Sequence, residues 1–174
     1  MTIKKIKFFN NFQKEEKWIN EMAANGFQLI GYSFCRYTFE KGSPGEYDYC
    51  IELLEELPNT EKSKDYLEFM EENGIECVDT YFRWVYFRKK ATGEPFEIYT
   101  DNESRIKHLQ RIVNLIATVG MVNLVIAILN SFISMFNLYV SILNWSVVII
   151  LAPFLLAYMR NMRALKRDME LYNK

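Results

Sequence analysis

Apolar and polar positions follow three different patterns along the chain, and each pattern predicts a different kind of element. The segments at 15–25 and 63–73 carry apolar residues at spacings of one and four, which is typical of one face of a helix. Each of these segments precedes a stretch rich in aromatic and β-branched residues, which favours strand hairpins. Between residues 112 and 159 the chain carries no charged residue at all.

The first two patterns occur twice, with a shift of 48 residues between the copies. Sliding residues 18–50 onto 66–98 gives eight identical positions, and both copies end their helical segment with Asn-Gly. Gly26 and Gly74 are therefore predicted to end two helices, because glycine readily adopts the left-handed conformation that follows many helices. A leading strand in "KIKFFN" starts the domain and a last strand follows each copy, "YDYCIEL" and "EIY", so the predicted arrangement is β-α-β-β twice over with a closing strand.

The repeat predicts an α+β fold for residues 1–100, with repeat units of about 3–50 and 51–100. Its strands are expected to form one antiparallel sheet with two amphipathic helices on one face. Neither half alone is expected to bury enough apolar surface to fold, whereas the two halves together would.

The uncharged block predicts a two-helix transmembrane hairpin. A span needs about 20 apolar residues, so the block holds two spans at about 112–133 and 139–159. Basic residues flank the block on both sides and are missing from the turn, which by the positive-inside bias predicts a multi-pass cell-membrane protein with both termini in the cytoplasm. The flanking basic residues are Arg105, Lys107 and Arg111 before the block and Arg160, Arg163, Lys166 and Arg167 after it.

The segments on either side of the block are also expected to be helical. Residues 101–111 read as a basic connector that starts at a capping box in "TDNE". Residues 160–174 form a basic amphipathic cytosolic tail with one apolar stripe, which would lie in the lipid interface or on the soluble domain.

The first span carries a stripe of small and amide residues at spacings of three and four. Such residues allow helices to pack closely in lipid, so the stripe is interpreted as a packing seam against the second span or a second copy of the chain. Its alternative interpretation is a substrate path. The stripe consists of Gly120, Asn123, Ala127, Asn130 and Ser134.

The candidate chemistry of the chain is sparse, and the sequence predicts neither an enzyme nor a metal or cofactor site. The cysteines at 35, 50 and 77 have no ligand spacing, and the single His108 lies at the edge of the uncharged block. Carboxylates such as Glu15 and Glu16 are interpreted as solvated helix faces. Residues 1–100 contain 18 acidic against 13 basic residues, which argues against direct binding of nucleic acid.

The predicted sheet is unusually aromatic, and alternation along its strands would leave some of these side chains away from the helices. An exposed aromatic face is typical of a partner-binding surface. The residues assigned to this surface are Tyr37, Phe39, Trp84 and Tyr86. The alternative is that these side chains pack in the core.

Four segments in order, "EEKWINEMAANG", "YTFEKGSPGEYDY", "WVYFRKK" and "EIYTDNESRI", resemble the bacterial domain-of-unknown-function family 2812. The resemblance covers about residues 3–110 and implies a membrane-anchored protein that is often encoded beside PadR-type transcriptional repressors. It carries over no catalytic residue. Phe27 and Ile75 stand where a Trp is common in the family.

Together the patterns and the resemblance predict a membrane-anchored cytosolic protein-binding module with a regulatory role. Its expected partner is a protein, with a PadR-type repressor that it sequesters as the leading candidate, and the hairpin could also support a homo-oligomer. The alternatives are an accessory subunit of a membrane transporter and a sensor that binds a small amphipathic ligand on the sheet face.

Overall fold

The chain folds into two units, Met1–Ile98 and Tyr99–Lys174. The computed structural model describes residues 1–94, 96–99, 101–133 and 138–172. The division between the units lies between Ile98 and Tyr99. The α+β class and the two long apolar helices that follow are confirmed.

The first unit contains two helices and six strands, and each predicted repeat supplies one helix and three strands. In chain order they are β1 (Thr2–Ile6), α1 (Phe12–Ala24), β2 (Phe27–Ser33), β3 (Arg36–Lys41), β4 (Tyr47–Leu53), α2 (Glu61–Glu72), β5 (Ile75–Tyr81) and β6 (Trp84–Lys90).

The strands form two three-stranded antiparallel sheets instead of the single sheet expected. Their orders are β1-β3-β2 and β4-β6-β5, so the last strand of each repeat lies in the middle of its own sheet. The sheets meet where the Tyr32 N–H of β2 donates to the Asp79 carboxylate of β5 at 2.7 Å. A side chain therefore stands between β2 and β5 at the point where one continuous sheet would need a backbone hydrogen bond.

The boundary between the repeats lies earlier than predicted. Strand β4 was expected to close the first repeat, but it pairs with β6 and opens the second. The repeats therefore run over residues 2–41 and 47–90, and the expected unit limits of 3–50 and 51–100 are wrong. The predicted closing strand at 97–99 is not a strand in the structure.

The repeat extends to irregular details of the backbone. The pairing of β2 with β3 shifts register between Leu29 and Gly31, and that of β5 with β6 shifts between Cys77 and Asp79. These two bulges lie 48 residues apart, which is the shift of the sequence repeat. Each bulge adds one residue to its strand and increases the local twist.

Both helices of the first unit have a capping side chain at the start and a glycine after the end. The Asn11 side chain accepts the N–H groups of Gln13 and Lys14, and the Thr60 hydroxyl accepts that of Ser63. At the other ends Gly26 and Gly74 adopt φ values of +81° and +75°. The prediction that these two glycines end the helices is confirmed.

The core of the first unit depends on an exchange between the repeats. Helix α1 packs on β2 of its own repeat and on β4 of the other, while α2 packs on β5. The larger buried cluster accordingly contains Ile19 and Ala23 of α1, together with apolar residues of both sheets. A second, smaller cluster lies under α2 around Met70 and Phe87.

The second unit consists of α3 (Asn102–Ile133) and α4 (Leu138–Tyr172), which pack against each other. At 1.5 Å per residue, their 32 and 35 residues give lengths of about 48 and about 52 Å. The basic connector and the basic tail are thus continuous with the apolar helices. The capping box includes Thr100, which lies outside the described residues, and Asp101 accepts the Ser104 N–H at 2.8 Å.

The repeated glycines provide a matched test of the fold. We expect Gly26→Ala and Gly74→Ala each to lower the free energy of unfolding by about 1 kcal/mol or more, because an L-residue is strained at these φ values. The loss should be larger at Gly26, where an added Cβ would lie 3.0 Å from the Gly42 carbonyl oxygen, than at Gly74, where it would meet no atom within 4 Å.

Denaturant unfolding of the full chain in detergent, followed by tryptophan fluorescence, measures both losses. Equal losses at the two positions would show that the contact with Gly42 adds no cost.

Candidate functional site

The predicted partner surface is mostly buried, so its predicted exposure is wrong. Tyr37, Phe39 and Tyr86 are 1%, 0% and 3% exposed, and Trp84 is half-buried. The Trp18 ring of α1 lies edge-on to Tyr37 and Phe39, with ring centroids 4.9 and 5.6 Å apart. These aromatic side chains point toward α1 because this helix covers strands of both sheets.

The buried aromatic residues surround an acidic side chain, Glu15. Its Oε1 accepts the hydroxyl of Tyr37 at 2.8 Å and that of Tyr86 at 2.7 Å. The Tyr32 ring packs against both tyrosines, at centroid distances of 4.9 and 4.6 Å. Glu15 therefore joins β3 of the first repeat to β6 of the second.

Burial changes the proton equilibria in this cluster. Desolvation raises the pKa of Glu15 above its ordinary 4.5, against the opposing effect of the hydrogen bonds from Tyr86 and Tyr37. Desolvation, together with the nearby carboxylate, also raises the pKa of both tyrosines, so they stay protonated and remain donors.

The carboxylate of the adjacent residue, Glu16, accepts a backbone hydrogen bond at the outer edge of β4. Its Oε2 accepts the Ile51 N–H at 2.8 Å. One turn further along α1, Asn20 accepts the Tyr49 N–H and donates to the Tyr49 carbonyl, both at 2.8 Å. Two side chains of α1 thus satisfy the outer edge of β4 as a neighbouring strand would.

The interpretation of Glu15 and Glu16 as a solvated helix face is therefore wrong. The signal that could have identified them is helical spacing, since Glu15 lies four residues before the buried Ile19 and eight before the buried Ala23. Buried carboxylates need hydrogen-bond partners, and those partners come from strands far away in the sequence. Helical spacing alone could not have identified those hydrogen-bond partners.

The equivalent edge of β1 is open. Thr2 and Lys4 of β1 occupy the same positions in the first repeat as Tyr49 and Ile51 of β4 occupy in the second. The residues of β3 and β6 with which they pair lie 48 residues apart, which is the shift of the repeat. Met1 and Lys7 bond inward to β3, so the alternate residues Thr2 and Lys4 direct their N–H and C=O groups outward. In the part of the chain that the structure describes, β1 pairs only with β3.

Helix α2 does not fill this edge as α1 fills the other. The residues of α2 that correspond to Glu16 and Asn20 are Lys64 and Glu68, and both are exposed. The first unit therefore contains one strand edge that is completed internally and one that is available. Among the described residues there is no group of three or more side chains suited to hold a metal ion.

In the second unit, polar contacts lie between the helices and apolar side chains lie outside. The Ser131 and Ser141 hydroxyls are 2.8 Å apart, and Ser141 also donates to the Ala127 carbonyl at 3.2 Å. The outward faces carry exposed large apolar residues, which include Met121, Val122, Val125, Leu129, Ile142, Leu143, Ile149, Ile150 and Leu156.

The predicted packing stripe is only partly used between α3 and α4. Ala127 is fully buried, which fits a seam, and Asn123 donates to the Val119 carbonyl of its own helix at 2.8 Å. Asn130 is half-buried. Gly120 is not a close contact of α4, since an added Cβ would meet no atom within 4 Å. Ser134 lies outside the described residues.

The Glu15 cluster predicts a pH dependence of stability. Because its folded pKa lies above the unfolded value of 4.5, the contribution of Glu15 is complete below pH 4.5 and is lost as the pH rises through the folded pKa. We expect Glu15→Gln, which stays neutral and keeps an acceptor oxygen, to reduce this loss. Glu15→Ala should destabilise at every pH, by about 1–3 kcal/mol for each tyrosine hydroxyl left without an acceptor.

Unfolding of the full chain in detergent between pH 4 and pH 8 measures these effects. The exposed Glu21 of the same helix gives the control Glu21→Gln, which should follow the native profile. If the stability of Glu15→Gln changed with pH in the same way as that of the unsubstituted chain, Glu15 would be ionised in the folded protein without a loss of stability.

Comparison with known proteins identifies one family and no individual relative. No curated protein matches the chain, and no solved structure matches it. The model of the family described as "Protein of unknown function (DUF2812)" matches residues 11–121. That range covers more than half of the chain, including both repeats from α1 onward and the first part of α3. The chain therefore belongs to the DUF2812 family.

Proposed function

We propose that this protein is a membrane-anchored cytosolic binding module that takes an extended segment of a partner protein onto the open edge of β1. Its role is regulatory, and the partner class suggested by the family resemblance is a PadR-type transcriptional repressor held at the membrane. The observation that carries the proposal is the difference between the two equivalent edges. The edge of β4 is completed by α1, whereas that of β1 is open.

An open strand edge can bind a peptide through its backbone. Outward N–H and C=O groups pair with an extended segment in the way that peptide-binding sheets use, and the adjacent side chains select the sequence. Lys4 and Lys5 are exposed on β1, so an acidic segment is favoured. The same lysines discourage the pairing of two β1 edges, because like charges would face each other.

The anchor is supported by the second unit. The structure has two helices long and apolar enough to cross a membrane. The uncharged part of α3 has 22 residues, 112–133, and spans about 33 Å, close to the bilayer core of about 30 Å. Polar groups directed inward and apolar side chains directed outward suit a lipid environment.

The orientation in this proposal follows the flanking charge. Basic residues lie before the apolar part of α3 and after that of α4, and the positive-inside bias favours an orientation with both ends of the hairpin in the cytoplasm. The α+β unit then faces a reducing compartment, in keeping with the free thiols of Cys35, Cys50 and Cys77.

The binding edge can be tested with a pair of substitutions at one position. Lys4→Pro removes the outward N–H and is tolerated on an edge strand, whereas Lys4→Ala removes the charge and keeps the N–H. A photocrosslinking residue placed at Thr2 should capture a partner in native membranes, with crosslinks that map by mass spectrometry to an extended acidic segment of a transcription regulator. We expect Lys4→Pro to abolish this crosslink and Lys4→Ala to weaken it.

The control places the same photocrosslinking residue at Lys64, the exposed position of α2 that corresponds to Glu16. Capture that is equal at both positions, or unchanged in Lys4→Pro, would disprove binding at the edge of β1.

The proposed orientation is tested by cysteine labelling. In intact cells a membrane-impermeant maleimide should label Tyr139→Cys at the exposed start of α4, and should label Asn161→Cys only after permeabilisation. The unsubstituted chain is the control, because its three thiols belong to the unit proposed to be cytosolic. Labelling of Asn161→Cys in intact cells would reverse the orientation.

A further inference from the structure

One end of the α+β unit exposes several large apolar side chains, here named the tip surface and defined as Ile6, Phe8, Phe34, Tyr81 and Phe82. They are 83%, 71%, 71%, 39% and 58% exposed. Phe34 lies in the turn between β2 and β3, and Phe82 lies in the turn between β5 and β6. The two turns occupy equivalent positions in the two repeats.

Contacts within the unit bring these residues to the same end. The Phe34 ring of the first turn lies 6.3 Å from the Tyr81 ring beside the second. The Lys7 N–H donates to the Cys35 carbonyl at 3.0 Å, which holds Ile6 and Phe8 next to the first turn. The tip surface therefore contains apolar side chains of both repeats at one end of the unit.

The backbone of the second turn is strained at its aromatic residue. Phe82 adopts a φ of +58°, a conformation that costs a residue with a bulky side chain about 1 kcal/mol or more. Glycine would remove that cost at Phe82, whereas in the first turn the residue with positive φ is Cys35, at +57°, and not Phe34. Strain held at an exposed aromatic residue indicates that the side chain has a use outside the fold.

Positive charge borders the tip surface on the side of the first repeat. Lys5, Lys7 and Arg36 are exposed there. Residues 1–41 contain seven basic and four acidic residues, and two of the four acidic residues are Glu15 and Glu16, whose carboxylates are bonded inside the unit. Glu55 and Glu56 lie on the other side, after β4, so the border is basic on one side only.

Aromatic side chains with adjacent lysines and arginines are suited to the interface of an anionic bilayer. The rings enter the region of the headgroups, and each basic residue near the surface contributes about 1 kcal/mol of attraction to anionic lipid. The membrane is also close along the chain, since α3 begins at Asn102, four residues after the first unit ends at Ile98.

We propose that the tip surface docks on the anionic lipid surface of the membrane in which α3 and α4 are anchored. Phe34 and Phe82 insert between headgroups, and Lys5, Lys7 and Arg36 contact lipid phosphates. This inference rests on the anchoring part of the proposed function, and it shares Lys5 with the proposed partner edge of β1. Docking would hold the α+β unit in one orientation on the membrane, with the edge of β1 to one side of the contact.

Depth-dependent fluorescence quenching tests the proposal on the full chain in vesicles of phosphatidylcholine and phosphatidylglycerol. The parent variant Trp145→Phe removes the tryptophan of α4 and retains Trp18 and Trp84, which are half-buried. Phe34→Trp in this parent adds a reporter on the tip surface. Phe69→Trp is the matched control, because Phe69 is 56% exposed on α2 outside the tip surface.

We expect lipids brominated near the headgroup to quench the fluorescence added at position 34 and to leave that added at position 69 unchanged. Adding Lys5→Glu and Lys7→Glu, or using phosphatidylcholine alone, should reduce the quenching at position 34. Absence of quenching at position 34, equal quenching at both positions, or quenching that does not depend on anionic lipid would each overturn the proposal.

Measurements on the unsubstituted chain distinguish an absence of tip docking from an absence of membrane anchoring. Trp145 lies in α4, so lipids brominated deeper in the acyl chains should quench it whether or not the tip surface docks. Quenching of Trp145 without quenching at position 34 would reject tip docking alone. Absence of Trp145 quenching would reject the anchor and the tip inference together, and since the vesicles contain no partner protein, neither result depends on the edge of β1.

Discussion

The first unit depends on three polar side chains of α1 that satisfy strands of the opposite repeat. Glu15 accepts the Tyr86 hydroxyl of β6, while Glu16 and Asn20 bond the outer edge of β4. Two carboxyl groups are removed from water to make these contacts, which is unfavourable unless their hydrogen bonds are kept. The contacts exist only when both repeats are folded and adjacent, so α1 makes the two halves one cooperative unit.

The same arrangement makes the two repeats structurally different at their strand edges. Helix α1 of the first repeat satisfies the outer edge of β4 in the second repeat, and among the described residues β1 pairs only with β3. Tandem arrays commonly end in a repeat with a polar outer face, and the exposed Lys64 and Glu68 of α2 fit that role. Among the described residues β1 is the equivalent strand whose outer edge is not completed in this way, and the proposed binding of a partner rests on that difference.

Polar side chains make different kinds of hydrogen bond in the two units. In the first, polar side chains of a helix bond to the edge of a strand. In the second, the hydroxyls of Ser131 and Ser141 bond to each other and to backbone between two helices whose outer surfaces are apolar. Ala127 is fully buried at that contact, whereas a Cβ added at Gly120 would meet no atom within 4 Å.

The sequence by itself determined the elements, their repetition and the two apolar helices, because helix and strand periods, Asn-Gly ends and an uncharged run are local patterns. It also sufficed to identify the family. Only the tertiary structure decided that β4 opens the second repeat, that the sheet divides in two, and that Tyr37, Phe39 and Tyr86 face inward. Those outcomes depend on which distant group satisfies each buried carboxyl and each strand edge, and such pairings follow from the packing of α1 across both repeats rather than from any local spacing.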